Sequence, residues 1–108
     1  LMNKIKKVKS VQGPAYIHIL SVCPTGWRIP SNQAIKYGRL AVQTGVFPLY
    51  EVENGQYKLN YSTEPLKPVA EYLKGQGRFR HLKEPEIEKI QERVNRDWEE
   101  LKNLAAIK

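Results

Sequence analysis

Cys23 stands alone: it is the only cysteine of the chain, in the loop sequence Cys23-Pro24-Thr25-Gly26-Trp27-Arg28-Ile29-Pro30. It follows directly on an apolar run, Ala15-Tyr16-Ile17-His18-Ile19-Leu20-Ser21-Val22, that reads as a strand. The C-terminal edge of strands in an open α/β sheet is where ligands and cofactors collect. Pro24 and Gly26 shape a turn there, and Gly26 lets backbone approach a neighbour closely. The other reading of such a residue is a small apolar side chain buried in a core. With no CxxC and no second cysteine, nothing within the chain completes a metal site.

Two further groups are candidates. Arg78-Phe79-Arg80-His81-Leu82 carries two arginines and a histidine, a set that binds phosphate or carboxylate or else forms a solvated loop or subunit contact. His18 lies inside the apolar run, where a packed or hydrogen-bonded histidine is expected. Tyr50, Tyr57 and Tyr61 interleave with Lys58 in the manner of a nucleic-acid surface, but alternation along a hairpin accounts for them equally well. No Ser-His-Asp set, carboxylate pair, GxGxxG or phosphate-binding loop is present.

The elements that must hold these residues follow from periodicity and breakers. Met2, Ile5 and Val8 recur at three-residue steps among lysines, which predicts the last turns of a helix whose start lies before residue 1. Gly13-Pro14 breaks it. The 15–22 run is apolar on both faces, as in a parallel sheet. Ser31 caps a predicted helix over 31–44 that stops at Gly45, with Ala34, Ile35, Gly38, Ala41 and Val42 facing inward. Gly38 predicts close packing against the sheet. Strands over 47–52 and 56–61 are joined by Glu53-Asn54-Gly55, a strong hairpin signal. A short helix over 69–73 ends at Gly75 and Gly77. A last helix over 85–105 starts at Pro85 and carries the stripe Ile87, Ile90, Val94, Trp98, Leu101 and Ala105, with Glu92 and Arg96 supporting its outer face.

Composition narrows the classes. At 108 residues the chain holds one small domain's worth of sequence, and a strand apolar on both faces needs more helices than it supplies. No apolar run approaches the roughly 20 residues of a membrane span, and the first residues lack the pattern of a signal peptide. A single cysteine rules out a disulfide-built scaffold within the chain and suits a reducing, cytoplasmic compartment. The net charge of +7 is uneven: residues 1–50 carry Lys4, Lys6, Lys7, Lys9, Arg28, Lys36 and Arg39 and no acid. A basic half fits nucleic acid, or else acidic partners such as another subunit or a phosphate-bearing cofactor.

Six segments in order carry a resemblance. They are Gly13-Pro14-Ala15-Tyr16-Ile17-His18; Cys23-Pro24-Thr25-Gly26-Trp27; Leu40-Ala41-Val42-Gln43-Thr44-Gly45; Pro48-Leu49-Tyr50-Glu51; Val69-Ala70-Glu71-Tyr72-Leu73; and Gln76-Gly77-Arg78-Phe79-Arg80-His81-Leu82. Together, over about residues 2–82, they resemble the closing part of the β subunit of pyruvate:ferredoxin oxidoreductase, the thiamine-diphosphate-binding subunit of the 2-oxoacid:ferredoxin oxidoreductase family. The final helix is generic.

The resemblance implies an enzyme that oxidatively decarboxylates pyruvate to acetyl-CoA and passes electrons through 4Fe–4S clusters to ferredoxin. It implies thiamine diphosphate, magnesium and one 4Fe–4S cluster in the complete subunit, with Cys23 at the position of the fourth cluster ligand and the other three cysteines outside this chain. The fold implied is α/β, the C-terminal portion of a thiamine-diphosphate-binding domain with a mainly parallel sheet, plus a hairpin and a C-terminal helix. Residues 1–62 would end that domain and 63–108 would form a helical extension, together one structural unit. Implied partners are the rest of the β subunit, the α, γ and δ subunits, ferredoxin, coenzyme A and the 2-oxoacid, with no specific nucleic acid and no membrane. The chain alone is expected to hold no cofactor and to be inactive. Ser21-Val22 stands where the family pattern has Ala-Pro. The alternatives are a sibling enzyme for 2-oxoisovalerate or 2-oxoglutarate, or a stand-alone basic nucleic-acid-binding module.

Overall fold

A long amphipathic helix and a core built on three short ones organise the chain. The computed structural model describes residues 1–106. In order these form α1 (Met2–Ser10), α2 (Pro24–Trp27), a 3-10 turn (Ser31–Gln33), α3 (Ala34–Gln43), β1 (Tyr50–Glu53), β2 (Gln56–Leu59), α4 (Val69–Leu73), a second 3-10 turn (Gly77–Phe79) and α5 (Glu84–Ala106).

The core joins α2, α3, α4 and the start of α5. Trp27, Ile29, Tyr37, Leu40, Ala41, Val69, Tyr72, Leu73 and Ile87 are buried in one cluster. α3 departs from the expected inner face. Tyr37, Leu40, Ala41 and Thr44 point inward, whereas Ile35 is 72% exposed. The helix is rotated because Tyr37 reaches across to α4, against Gly75, where a Cβ would overlap its hydroxyl. Nor does Ser31 cap the helix: residues 31–33 form a 3-10 turn whose cap position is Pro30. Gly45 does stop it, at φ +81°, and a Cβ there would crowd Leu66 at 3.1 Å and Val94 at 3.2 Å.

The hairpin forms as its turn dictates. Asn54 and Gly55 both hold positive φ, 51° and 76°, the requirement of a two-residue turn matched to strand twist. Glu53 pairs with Gln56 and Tyr50 with Leu59, antiparallel. α5 packs along β2 and buries Ile87, Trp98 and Leu101 of the expected stripe. The i,i+4 ion pair on its outer face is Arg93 with Asp97 at 3.1 Å, rather than Glu92 with Arg96. Gln91 Oε1 on α5 accepts the Val69 N–H at 2.9 Å, capping α4, whose own cap position, Pro68, has no side-chain donor or acceptor.

Residues 15–22 do not form the expected strand. Among the described residues their backbone groups make no hydrogen bond, and the one sheet is the antiparallel hairpin. Among the described residues no neighbouring strand pairs with it, and a strand cannot satisfy its backbone alone. One side of the segment does pack: Leu20 and Val22 lie against the core, and α3 approaches so closely that a Cβ on Gly38 would sit 3.3 Å from Val22 Cγ2. The rest of the segment is open, with Tyr16 85% exposed and Ile19 57% exposed. α1 buries none of its residues and is held to the hairpin by Lys7–Glu51 (2.6 Å) and by Lys4 Nζ donating to Tyr50 O (3.0 Å). The radius of gyration, 15.7 Å, exceeds the roughly 13 Å of a closed domain this long.

Candidate functional site

Cys23 closes the unpaired segment and opens α2. Its side chain is exposed, and its Sγ accepts the Gly26 N–H at 3.3 Å. Pro24 in the first turn of α2 donates no hydrogen bond, so the turn closes around the sulfur without competition for it. An exposed sulfur that accepts a backbone N–H meets what cluster or metal ligation asks of one thiolate ligand. Among the described residues no group of three or more His, Cys, Asp and Glu side chains is placed to hold a metal ion.

The loop then turns sharply. Arg28 adopts the left-handed conformation, φ 56° and ψ 57°, at the end of α2, a position usually held by glycine. Ile29 N–H donates to Pro24 O at 3.1 Å, and Gly77 N–H donates to Arg28 O at 3.1 Å, which fixes the turn against the second 3-10 segment. Glycine is needed at 77 because a Cβ there would come within 2.5 Å of Arg28 Cβ.

This contact joins two sequence clusters fifty residues apart. Gly26, Arg28, Gly77, Arg78, Arg80 and His81 line a cleft of about 430 Å³ beside Cys23. Arg78 is held from several sides. Its guanidinium lies 4.0 Å from the Trp27 ring centroid and 4.5 Å from that of Phe79. Its Nε donates to Gln76 Oε1 at 2.7 Å, and a terminal nitrogen donates to the Tyr72 hydroxyl at 3.2 Å. Gln76, 1% exposed, is itself fixed by donating to Tyr72 O at 2.6 Å.

Of the candidates named from sequence, the loop that Cys23 opens meets the Arg78–His81 cluster through Gly26 and Arg28. His18 does not join them: it is exposed, its ring edge on Phe47 at 5.0 Å. Tyr50 and Tyr57 stack on each other across the hairpin at 6.1 Å, as alternation requires. Arg28 was the residue that sequence reading passed over. The signal for it was the repeated grouping of glycine, aromatic and arginine at 26–28 and 77–80.

No protein-family model matches the chain. Curated proteins do. The chain is 50% identical over 94 residues to the pyruvate synthase subunit PorB of Methanocaldococcus jannaschii, covering 87% of this chain and 32% of that protein. It is 47% identical over 109 aligned positions to the ketoisovalerate oxidoreductase subunit VorB of Pyrococcus furiosus, covering 98% and 35%. To the pyruvate synthase subunit PorB of the same organism it is 40% identical, covering 93% and 36%. The chain thus spans about a third of the length of the curated relatives it matches. The similarity to VorB also extends past the region of the sequence motifs to include the final helix.

Proposed function

We propose, from its membership along nearly its whole length in the family of PorB and VorB oxidoreductase subunits, that this chain is the closing segment of the β subunit of a 2-oxoacid:ferredoxin oxidoreductase. The identity of 47–50% over most of the chain carries the reading. Residues 1–62 end the cofactor-binding domain and 63–108 extend it. The complete subunit's thiamine diphosphate, magnesium and 4Fe–4S cluster would supply decarboxylation and electron transfer to ferredoxin, with coenzyme A accepting the acyl group.

Within this chain, Cys23 is the fourth thiolate ligand, and three cysteines elsewhere in the subunit complete the set. The Gly26 N–H bonded to Cys23 Sγ fixes the direction of the sulfur. A reducing cytoplasmic compartment suits such a thiolate, and among the described residues no helix is long and apolar enough to cross a membrane. The basic first half faces the other subunits. Residues 15–22 complete a parallel sheet supplied by the rest of the subunit.

Pyruvate is the proposed substrate, supported by the match to PorB, and ketoisovalerate is the second reading. The observation favouring it is the greater identity to Pyrococcus furiosus VorB, 47%, than to PorB of that organism, 40%.

The deciding experiment is Cys23→Ala in the complete subunit. Iron content and the electron paramagnetic resonance signal of the reduced cluster should fall, and ferredoxin reduction should stop while some decarboxylation survives. Full cluster occupancy with normal ferredoxin reduction in that variant would return Cys23 to an inert role. Stoichiometric iron on the 108-residue chain alone would overturn the placement of the other three ligands outside it.

A further inference from the structure

We propose that the cleft walled by Arg28, Arg78, Arg80 and His81 is a binding site for the phosphate or diphosphate group of a small molecule. The proposal stands on the cleft and not on the family reading. Its volume, about 430 Å³, falls in the range of small-molecule pockets. No acidic residue lines it, and among the described residues none of its three arginines takes part in an ion pair. Three arginines line one concave surface, and a bound anion offsets the repulsion between like charges brought onto it.

The arrangement is also prepared in advance. Arg78 is fixed by two aromatic rings, Gln76 and Tyr72, so little side-chain freedom remains to be lost on binding. Gly26 and Gly77 place bare backbone in the wall, where a tetrahedral group can come close. Arg78 spends Nε and one terminal nitrogen on Gln76 and Tyr72, and its remaining N–H groups with those of Arg28 and Arg80 match the oxygens and charge of a phosphate or diphosphate.

The test uses the full 108-residue chain, with inorganic phosphate and pyrophosphate as probes and chloride holding ionic strength constant. In the unmodified chain, pyrophosphate should shift the amide resonances of Gly26, Arg28, Gly77 and Arg78 and leave those of residues 2–10 in place. The double variant Arg28→Gln with Arg80→Gln should weaken pyrophosphate binding about tenfold or more, the loss expected for removing charge-assisted bonds. The charge-matched control Lys6→Gln with Lys9→Gln, on α1, should change it less than about twofold, as for a distant screened charge. Equal weakening by the two double variants, or shifts spread over α1, would reduce the effect to net charge and overturn the site. Succinate bound more tightly than pyrophosphate would overturn the phosphate assignment in favour of carboxylates from an acidic partner.

Discussion

The stripe on α5 and the run at residues 15–22 are both strongly apolar, yet they end differently. α5 buries Ile87, Trp98 and Leu101 along β2 and the core. The 15–22 run seats Leu20 and Val22, leaves Tyr16 and Ile19 in solvent, and pairs none of its backbone. A helix satisfies its own backbone within each turn, so it needs only one apolar cover. A strand apolar on both faces needs two neighbouring strands and two covers. Among the described residues the first finds what it requires and the second only part of it.

The contrast can be broken most directly by truncation at each place. Trp27→Ala removes a buried ring that carries Arg78 and packs edge-on against Tyr72. It should cost about 3–5 kcal/mol by denaturant unfolding. Ile19→Ala, on the open side, should cost less than about 0.5 kcal/mol, as for an exposed surface site. A loss at Ile19 equal to that at Trp27 would mean that the segment is covered in solution by self-association, which sedimentation would detect.

Hydrogen exchange sharpens the same comparison. Amides of 15–22 in the isolated chain should exchange near the rate of an unfolded peptide, and those of 87–101 should be protected. In the complete subunit, 15–22 should become protected as well. Strong protection of 15–22 in a monomeric isolated chain would show that the segment needs no outside strand.

A smaller effect is expected at the junction of α4 and α5. Gln91→Ala leaves the Val69 N–H without its acceptor, in a residue that is 0% exposed. The cost should be about 1–2 kcal/mol, that of a lost helix cap with a buried donor. Gln91→Glu, which keeps the acceptor, should recover most of it.

The smallest effect concerns how α1 is held. The hydrogen bond from Lys7 keeps the Glu51 carboxyl below the usual carboxylate range, aided by the charge of Lys7 and against partial desolvation. The same bond raises the Lys7 ammonium, with help from the charges of Glu51 and Glu53. The stabilisation from Glu51 is therefore complete above its unfolded pKa and is lost as pH falls through the lowered folded value. That from Lys7 is complete below its unfolded pKa and is lost as pH rises through the raised folded value. The amide signals of α1 should stay constant between these limits and move at both ends. Movement of α1 near neutral pH would mean that another contact holds it.

Much of this was legible in local sequence. Asn54-Gly55 set the hairpin, residues 69–73 formed a helix with the bounds that their pattern gave, and the stripe from Ile87 onward formed α5. Gly45 stopped α3 because only a residue tolerant of positive φ fits there. The cysteine loop was recognisable from its residue types. These features close their hydrogen bonds within a few residues, so nearby side chains suffice to specify them. Other features depended on the chain returning to itself. The burial of Tyr37 in place of Ile35 required α4 to lie opposite. The cap on α4 came from Gln91, twenty-two residues away. The meeting of Arg28 with Arg78 and Arg80 required the core to bring two loops into contact. Residues 15–22 mark the boundary: their composition predicts a strand, but pairing is a property of two segments, and the sequence of one cannot supply the other.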